Sequence, residues 1–332
     1  MISPRQILII QPSFLGDVIL TTSLVETLAT SFPEASIDFM VRKGNESLLA
    51  NNPNIRSIIV WDKKHQKLAN LWKIARAARK TKYDAVINTH RFASSGFVAL
   101  MSGAKYVAGF NKNPLSFAFT HRVNHVMSGV HETERNFALI ASLVSTDAPS
   151  APRLYPSEQD EKLVSEYTQN PFVCIAPTSV WFTKQWPGDK WKDLITEFPD
   201  RLHVYLLGAP SDKEACQHII EKSQGKRVIN LAGELSLLQS AALMSKAEMN
   251  YVNDSGPMHL ASAMDAPCTA VFCSTVPDFG FGPLSTKSRV VETTAKLDCR
   301  PCGIHGHKAC PEGHFKCAVT IDPKHVSAHE RS

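Results

Sequence analysis

Met249-Asn-Tyr-Val-Asn-Asp254-Ser255-Gly256-Pro257-Met258-His259-Leu260-Ala-Ser-Ala263 reads as strand, sharp turn and helix. The apolar run ending at Tyr251-Val252 is short enough for a buried strand, and Leu260, Ala261 and Met264 recur at helical spacing behind Pro257, expected at the first helical position. Such a turn presents backbone N–H groups and the positive end of a helix dipole, and Gly256 lacks the Cβ that would hold a phosphate away. Ser255 adds a hydroxyl and His259 an imidazole near the first turn. The turn is therefore a candidate diphosphate site. The plainer alternative is that Asp254 or Ser255 caps the helix and His259 lies on its surface.

Working outward, the same alternation recurs along the chain. Strands are expected at Gln6–Ile10, Ser36–Val41, Arg56–Trp61, Ala85–Asn88, Phe172–Ala176, Leu202–Leu207 and Val228–Leu231, with helical patterns between them. That is the pattern of parallel α/β sheets. At 332 residues the chain exceeds one ordinary domain, and two of roughly 150–170 residues are expected. Pro149, Pro152 and Pro156 mark the linker, giving domains 1–150 and 151–332. With 43% hydrophobic and 20% charged residues, each half can bury a full core. A net charge of +5 suits an anionic ligand but is too weak to argue for nucleic acid. The apolar run at the N-terminus is too short for a signal peptide or a spanning helix, and a cytoplasmic protein is expected.

Several chemistry-bearing residues follow strand ends, the edge at which open α/β sheets bind ligands. Gln11-Pro-Ser-Phe-Leu-Gly16-Asp17 leads from the first strand into a helix with Val18, Thr22, Val25 and Ala29 on one face. Asp17 is a candidate general base, or simply that helix's N-cap. Its loop has one glycine rather than the G-x-G-x-x-G of a dinucleotide site, which argues against a nicotinamide enzyme. His90 and Arg91 end another strand on the same edge and are candidate contacts for an anionic acceptor. In the second half Thr178, Ser179 and Lys184 follow a strand directly, with Lys184 placed to neutralise a diphosphate. Glu234 follows a further strand and is a candidate partner for ribose hydroxyls, or a helix-start charge.

Lys63–Lys82 is the most basic segment, with Leu68, Leu71, Trp72 and Ala75 on one face and Lys67, Lys73, Arg76, Arg79 and Lys80 crowding the rest. It is either a solvated helix packed on the sheet or a contact for anionic headgroups. Phe92–Met101 and Pro114–Arg122 read as apolar loops, and His131-Glu-Thr-Glu-Arg135 opens the last helix of the first half. Cys299, Cys302, Cys310 and Cys317 cluster near the end, a spacing that admits a structural zinc or a set of reduced thiols.

Six of these pieces, in order, resemble a known family. Phe14-Leu-Gly-Asp-Val-Ile-Leu-Thr-Thr22, His131-Glu-Thr-Glu-Arg135, Ala176-Pro-Thr-Ser-Val-Trp-Phe-Thr-Lys-Gln-Trp-Pro187, Asn230-Leu-Ala-Gly-Glu234, Asn253-Asp-Ser-Gly-Pro-Met-His259 and the cysteine segment are similar to the ADP-heptose:lipopolysaccharide heptosyltransferases, most of all the heptosyltransferase II type. The resemblance implies a GT-B fold, two Rossmann-like domains with a cleft between them, acceptor held by the first and nucleotide sugar by the second. It implies inverting transfer of L-glycero-D-manno-heptose from ADP-heptose to the inner core of lipopolysaccharide, with heptosyl-Kdo2-lipid A as acceptor and peripheral contact with the inner face of the inner membrane. By position, Asp17 matches the catalytic base, Lys184 the phosphate-binding lysine, Glu234 the ribose contact, and Asp254, Ser255, Gly256 and His259 the diphosphate turn, with Thr178 and Ser179 lining the same pocket. Thr178 departs from the glycine frequent in relatives. The residues alone are also compatible with another GT-B enzyme, such as an epimerase or a different-sugar transferase, or with a non-catalytic nucleotide-sugar binder. A carboxylate base and positive charge at the leaving diphosphate are what inverting displacement needs, so no cofactor or catalytic metal is expected.

Overall fold

In the computed structural model, which describes residues 3–223 and 227–328, the chain divides into two compact units, Met1–Tyr155 and Pro156–Ser332. The first comprises β1 (Gln6–Ile10), α1 (Leu15–Ser31), β2 (Ser36–Arg42), β3 (Ile55–Trp61), α2 (Lys67–Thr81), β4 (Ala85–Asn88), α3 (Ala93–Met101), β5 (Tyr106–Phe110), β6 (His121–Val123) and α4 (Glu132–Phe137). Its strands form one parallel sheet of six in the order β3-β2-β1-β4-β5-β6. Ile7, Leu8, Ile9 and Ile10 of β1 are wholly buried, as a central strand covered on both faces requires. The residues on either side of the expected 150/151 boundary stay with this unit. The Ser150 and Arg153 amides donate to the hydroxyls of Thr27 and Thr22 on α1, and the Tyr155 hydroxyl donates to Glu26.

The second unit comprises α5 (Glu158–Val164), β7 (Phe172–Ala176), α6 (Gly188–Glu197), β8 (His203–Leu206), α7 (Lys213–Lys222), β9 (Val228–Asn230), α8 (Leu237–Met244), β10 (Met249–Asn253), α9 (Gly256–Ala263), β11 (Cys268–Phe272), β12 (Ser288–Glu292), α10 (Lys316–Val319) and α11 (Pro323–Val326). Its sheet is also parallel and six-stranded, ordered β12-β11-β10-β7-β8-β9. Trp186, Trp191, Phe198 and Tyr251 fill the core beneath it. Both units are Rossmann-like.

Both sheets reverse direction once. In the first unit the chain runs outward from β1 through β2 and β3, then returns to the other side of β1 with β4; in the second it runs from β7 through β8 and β9 and returns beside β7 with β10. The loops after β1 and β4, and those after β7 and β10, therefore diverge and leave a crevice at each sheet's carboxyl edge. This order is a tertiary property with no local sequence signal.

Two local expectations change. Residues 93–101 form the helix α3 rather than a loop; at its start the Ser95 hydroxyl and the Asn113 amide donate to the carbonyls of His90 and Phe92, tying the helix to the segment after β5. Gly96 makes room for that amide, since a Cβ there would lie 2.5 Å from Asn113 Oδ1. In the second unit Gly256, not Pro257, is the first residue of α9, because Ser255 keeps an extended backbone.

Candidate functional site

In the first unit the crevice between β1 and β4 holds Asp17 and Arg91. Phe14, extended and without a side-chain cap, begins α1, so Asp17 falls within the first helical turn and is not the N-cap. Helix N-terminal N–H groups favour its carboxylate, but burial outweighs them and pushes Asp17 up to about 6, with Arg91 and Arg42 pulling weakly the other way. Arg42, at the end of β2, lies over the exposed Phe14 ring at 5.0 Å. Lys63 donates to the Pro12 carbonyl at 2.6 Å and lies 4.8 Å from the Trp61 ring centre. Its ammonium is pushed down to about 8 by burial and by Arg42 and Lys67. The carboxyl is thus flanked by Arg91 and Arg42.

His90 and Arg91 part company. His90 is buried, its Nδ1 within 3.0 Å of the Ser95 hydroxyl and its ring packed on Phe92. Burial, with Lys63 and Arg91 adding to it, pushes His90 down to about 3, so it stays neutral and offers an anion no charge. Arg91 is exposed beside the Phe92 ring.

Glu132 and Arg135 were legible only as a helix opening. His131 forms a reciprocal capping box with Glu134, and this places Glu132 at the first position of α4, buried and paired with Arg135 at 2.6 Å. Burial and then the charge of Asp17 push Glu132 up to about 7. A charged residue opening a six-residue helix carries no sequence signal of burial, so its nearness to Asp17 was not readable.

In the second unit the crevice between β7 and β10 brings Lys184 to Asp254. The ammonium lies 2.7 Å from Asp254 Oδ2, with the two side chains only 15% and 7% exposed, which excludes a solvent-facing lysine. Thr275 donates to the same oxygen at 2.5 Å, a partner that its isolated place after β11 did not announce. One of three ammonium donors is committed to Asp254, leaving two for an anion. Asp254 thus holds the Lys184 ammonium in place.

Asn253 ties the two loops together, donating to the Pro177 carbonyl at 2.8 Å and accepting from the Trp186 amide at 2.9 Å. Thr178 and Ser179 stand half-buried in the loop so fixed, and Gln185 donates to the Ser179 carbonyl. Ser255 sits at the N-cap position but does not cap: its hydroxyl donates to the Asn253 carbonyl at 3.3 Å, leaving the start of α9 without a side-chain cap. Gly256 follows without a left-handed backbone, so its conformation does not by itself demand a glycine. His259 is buried within the helix near Phe281, not on its surface. Glu234 stands apart from these residues, on the turn after β9, exposed and paired with Lys213 at 2.6 Å.

Cys299, Cys302, Cys310 and Cys317 line one cavity of about 220 Å³ together with Thr183, Ser274 and His314. All are free thiols. Among the described residues no three His, Cys, Asp or Glu side chains form a group able to hold a metal ion. Cys317 is buried on α10 while the other three sit half-buried on loops.

Residues 71–314 match glycosyltransferase family 9 (heptosyltransferase). The chain belongs to that family. Among curated relatives, lipopolysaccharide heptosyltransferase 2 of Escherichia coli K12 is 27% identical, over 97% of this chain and 96% of its own. Lipopolysaccharide heptosyltransferase 3 of Escherichia coli is also 27% identical, over 79% of this chain and 82% of its own. The structure of the Escherichia coli ADP-heptose lipopolysaccharide heptosyltransferase II superposes with a TM-score of 0.78 at 24% identity, covering 98% of this chain and 100% of that one. The family 9 fold is GT-B, and this member is a glycosyltransferase.

Proposed function

We propose that the protein is an inverting heptosyltransferase of type II, moving L-glycero-D-manno-heptose from ADP-heptose to heptosyl-Kdo2-lipid A in the lipopolysaccharide inner core. The observation that carries the transfer chemistry is Asp17, a carboxylate at the β1–β4 switch point, pushed up to about 6; the match to lipopolysaccharide heptosyltransferase 2 over 97% of the chain supports the donor and acceptor. It is ionised at neutral pH yet basic enough to take a proton from an attacking hydroxyl. The first unit holds the acceptor, with Arg91, Arg42 and Lys63 facing its negative charges. His90 serves the same edge as a neutral buried support.

The second unit holds the donor. Lys184, oriented by Asp254, meets the charge that develops on the departing diphosphate, and the start of α9 at Ser255 and Gly256 adds the helix dipole. Thr178 and Ser179 supply hydroxyls to the same phosphates, His259 supports the turn from within α9, and Glu234 accepts from the ribose. The lipid-linked acceptor implies work at a membrane surface. No helix among the described residues is long and apolar enough to cross a membrane. Peripheral contact falls to α2, where Leu68 (77% exposed) and Trp72 (47%) stand among lysines and arginines.

The test is ADP release from ADP-L-glycero-D-manno-heptose with Kdo2-lipid A or heptosyl-Kdo2-lipid A as acceptor, each in anionic and zwitterionic vesicles, with mass spectrometry of the product. Transfer to the second acceptor alone is expected, faster on anionic vesicles. Transfer to the first would overturn the type. A rate indifferent to vesicle charge would remove the membrane role of α2.

A further inference from the structure

Two neighbouring hydroxyls on the segment after β11 lie out of water, although no motif of the sequence singles them out: Ser274 and Thr275, each 1% exposed. The Ser274 hydroxyl donates to Thr183 Oγ1 at 3.1 Å. The Thr275 hydroxyl donates to Asp254 Oδ2 at 2.5 Å, the same oxygen that holds the Lys184 ammonium at 2.7 Å. One short segment therefore reaches Lys184 twice, through its chain neighbour and through its counter-ion.

That segment is itself braced. Arg300, its side chain 14% exposed, donates to the carbonyls of Cys273 at 2.7 Å and Thr275 at 2.8 Å and pairs with Glu292 on β12. The Cys302 amide donates to the Ser274 carbonyl at 2.8 Å. From the same C-terminal stretch, the His307 amide donates to Thr183 Oγ1 at 2.7 Å, and the Thr183 amide donates back to the His307 carbonyl at 3.1 Å. A hydroxyl has a single proton to donate, and Thr275 commits it to a carboxylate that already faces an ammonium. Bonds of this kind, to a charged acceptor, are the strong and directional ones. The Asp254 carboxylate is thereby held against rotation, and the remaining donors of Lys184 keep one direction.

We propose that Thr275 is a positioning residue of the transfer reaction: its hydroxyl fixes the Asp254 carboxylate and, through it, aims the Lys184 ammonium at the charge that develops on the departing diphosphate. This rests on the reading of Lys184 as the diphosphate-binding lysine. A donor fixed before the reaction needs no reorganisation when that charge appears. The benefit falls on the transition state and on ADP, which carries a negative charge that its sugar ester lacks, more than on bound ADP-heptose.

The experiment compares full-length Thr275→Val, which removes the hydroxyl and keeps the shape, with Thr275→Ser, which keeps the hydroxyl, and runs Arg300→Lys and Lys184→Ala alongside. With the acceptor that the parent protein uses, kcat of Thr275→Val should fall about tenfold, as loss of a hydrogen bond to a charged group implies. KM for ADP-heptose should stay within about threefold, and ADP should bind about fivefold weaker by calorimetry. Thr275→Ser should recover most of both losses. Parental values in Thr275→Val would overturn the proposal, as would equal losses in the serine variant, which would mark a packing role. An equal weakening of ADP and ADP-heptose would overturn it too. Should Thr275→Val fail to fold, Arg300→Lys decides: lysine cannot hold both carbonyls in the guanidinium's geometry, so the same drop in kcat at little-changed KM is expected, and a parental kcat would refute the bracing. Unchanged ADP affinity in Lys184→Ala would overturn the reading of Lys184 and this inference with it. Weakened ADP binding in Lys184→Ala beside a parental Thr275→Val would overturn this inference alone.

Discussion

Replacing Asp17 by asparagine should make the protein inactive and, above neutral pH, more stable. Asp17 is raised from 3.8 to about 6 chiefly by burial, so the folded state binds its proton more tightly than the unfolded state does. The stability tied to that proton is fully present below about pH 4 and is lost as the pH rises through 6. A difference of about 2 units corresponds to about 3 kcal/mol. Asp17 keeps partial contact with solvent, which screens it, so about 1–3 kcal/mol is the expected range. At about 2–4 °C per kcal/mol for a chain portion of this size, Asp17→Asn should melt several degrees above the parent at pH 8 and level with it near pH 4. Turnover should fall about 10²–10⁴-fold, as loss of a general base requires. Thermal melts across that pH range, with turnover measured on the same preparations, check both halves. A variant no more stable than the parent at pH 8, with the same pH slope, would refute the burial argument. Near-normal turnover would refute the base.

On the donor side, Lys184→Ala should weaken ADP binding and turnover together and leave Asp254 a buried carboxylate without its cation; unchanged ADP affinity by calorimetry would exclude the role of Lys184. Gly306→Ala tests the same loop without touching a charge. Gly306 has φ +74°, and a Cβ there would lie 2.8 Å from the Thr183 hydroxyl and 3.0 Å from the Lys184 side chain, so ADP affinity should drop about tenfold while the Asp17-dependent pH limb stays in place. Equal ADP affinity in that variant would show that the Thr183–Lys184 loop yields without moving the ammonium.

Much of the architecture was legible because its signals are local. Buried parallel strands need unbroken apolar runs, and Gln6–Ile10 and Phe172–Ala176 were found with the observed bounds. Candidate residues such as Asp17, Lys184 and Asp254 were legible because they follow strand ends directly. The helix at 93–101 was missed because its serines and Gly96 resemble a loop, while the side chain that ties down its start, Asn113, is distant in sequence.

The sequence by itself determined the two parallel α/β units, the carboxyl-edge placement of the chemistry and the family motifs, since strand periodicity and turn chemistry act over a few residues. Tertiary structure decided which strands neighbour one another, and so which loops meet: the loops after β7, β10 and β11 join Lys184, Asp254 and Thr275. It also decided burial, which turned His90 neutral and paired Glu132 with Arg135 out of water. Burial depends on everything packed around a residue, and a charged side chain in a sequence carries no mark of the water it will lose.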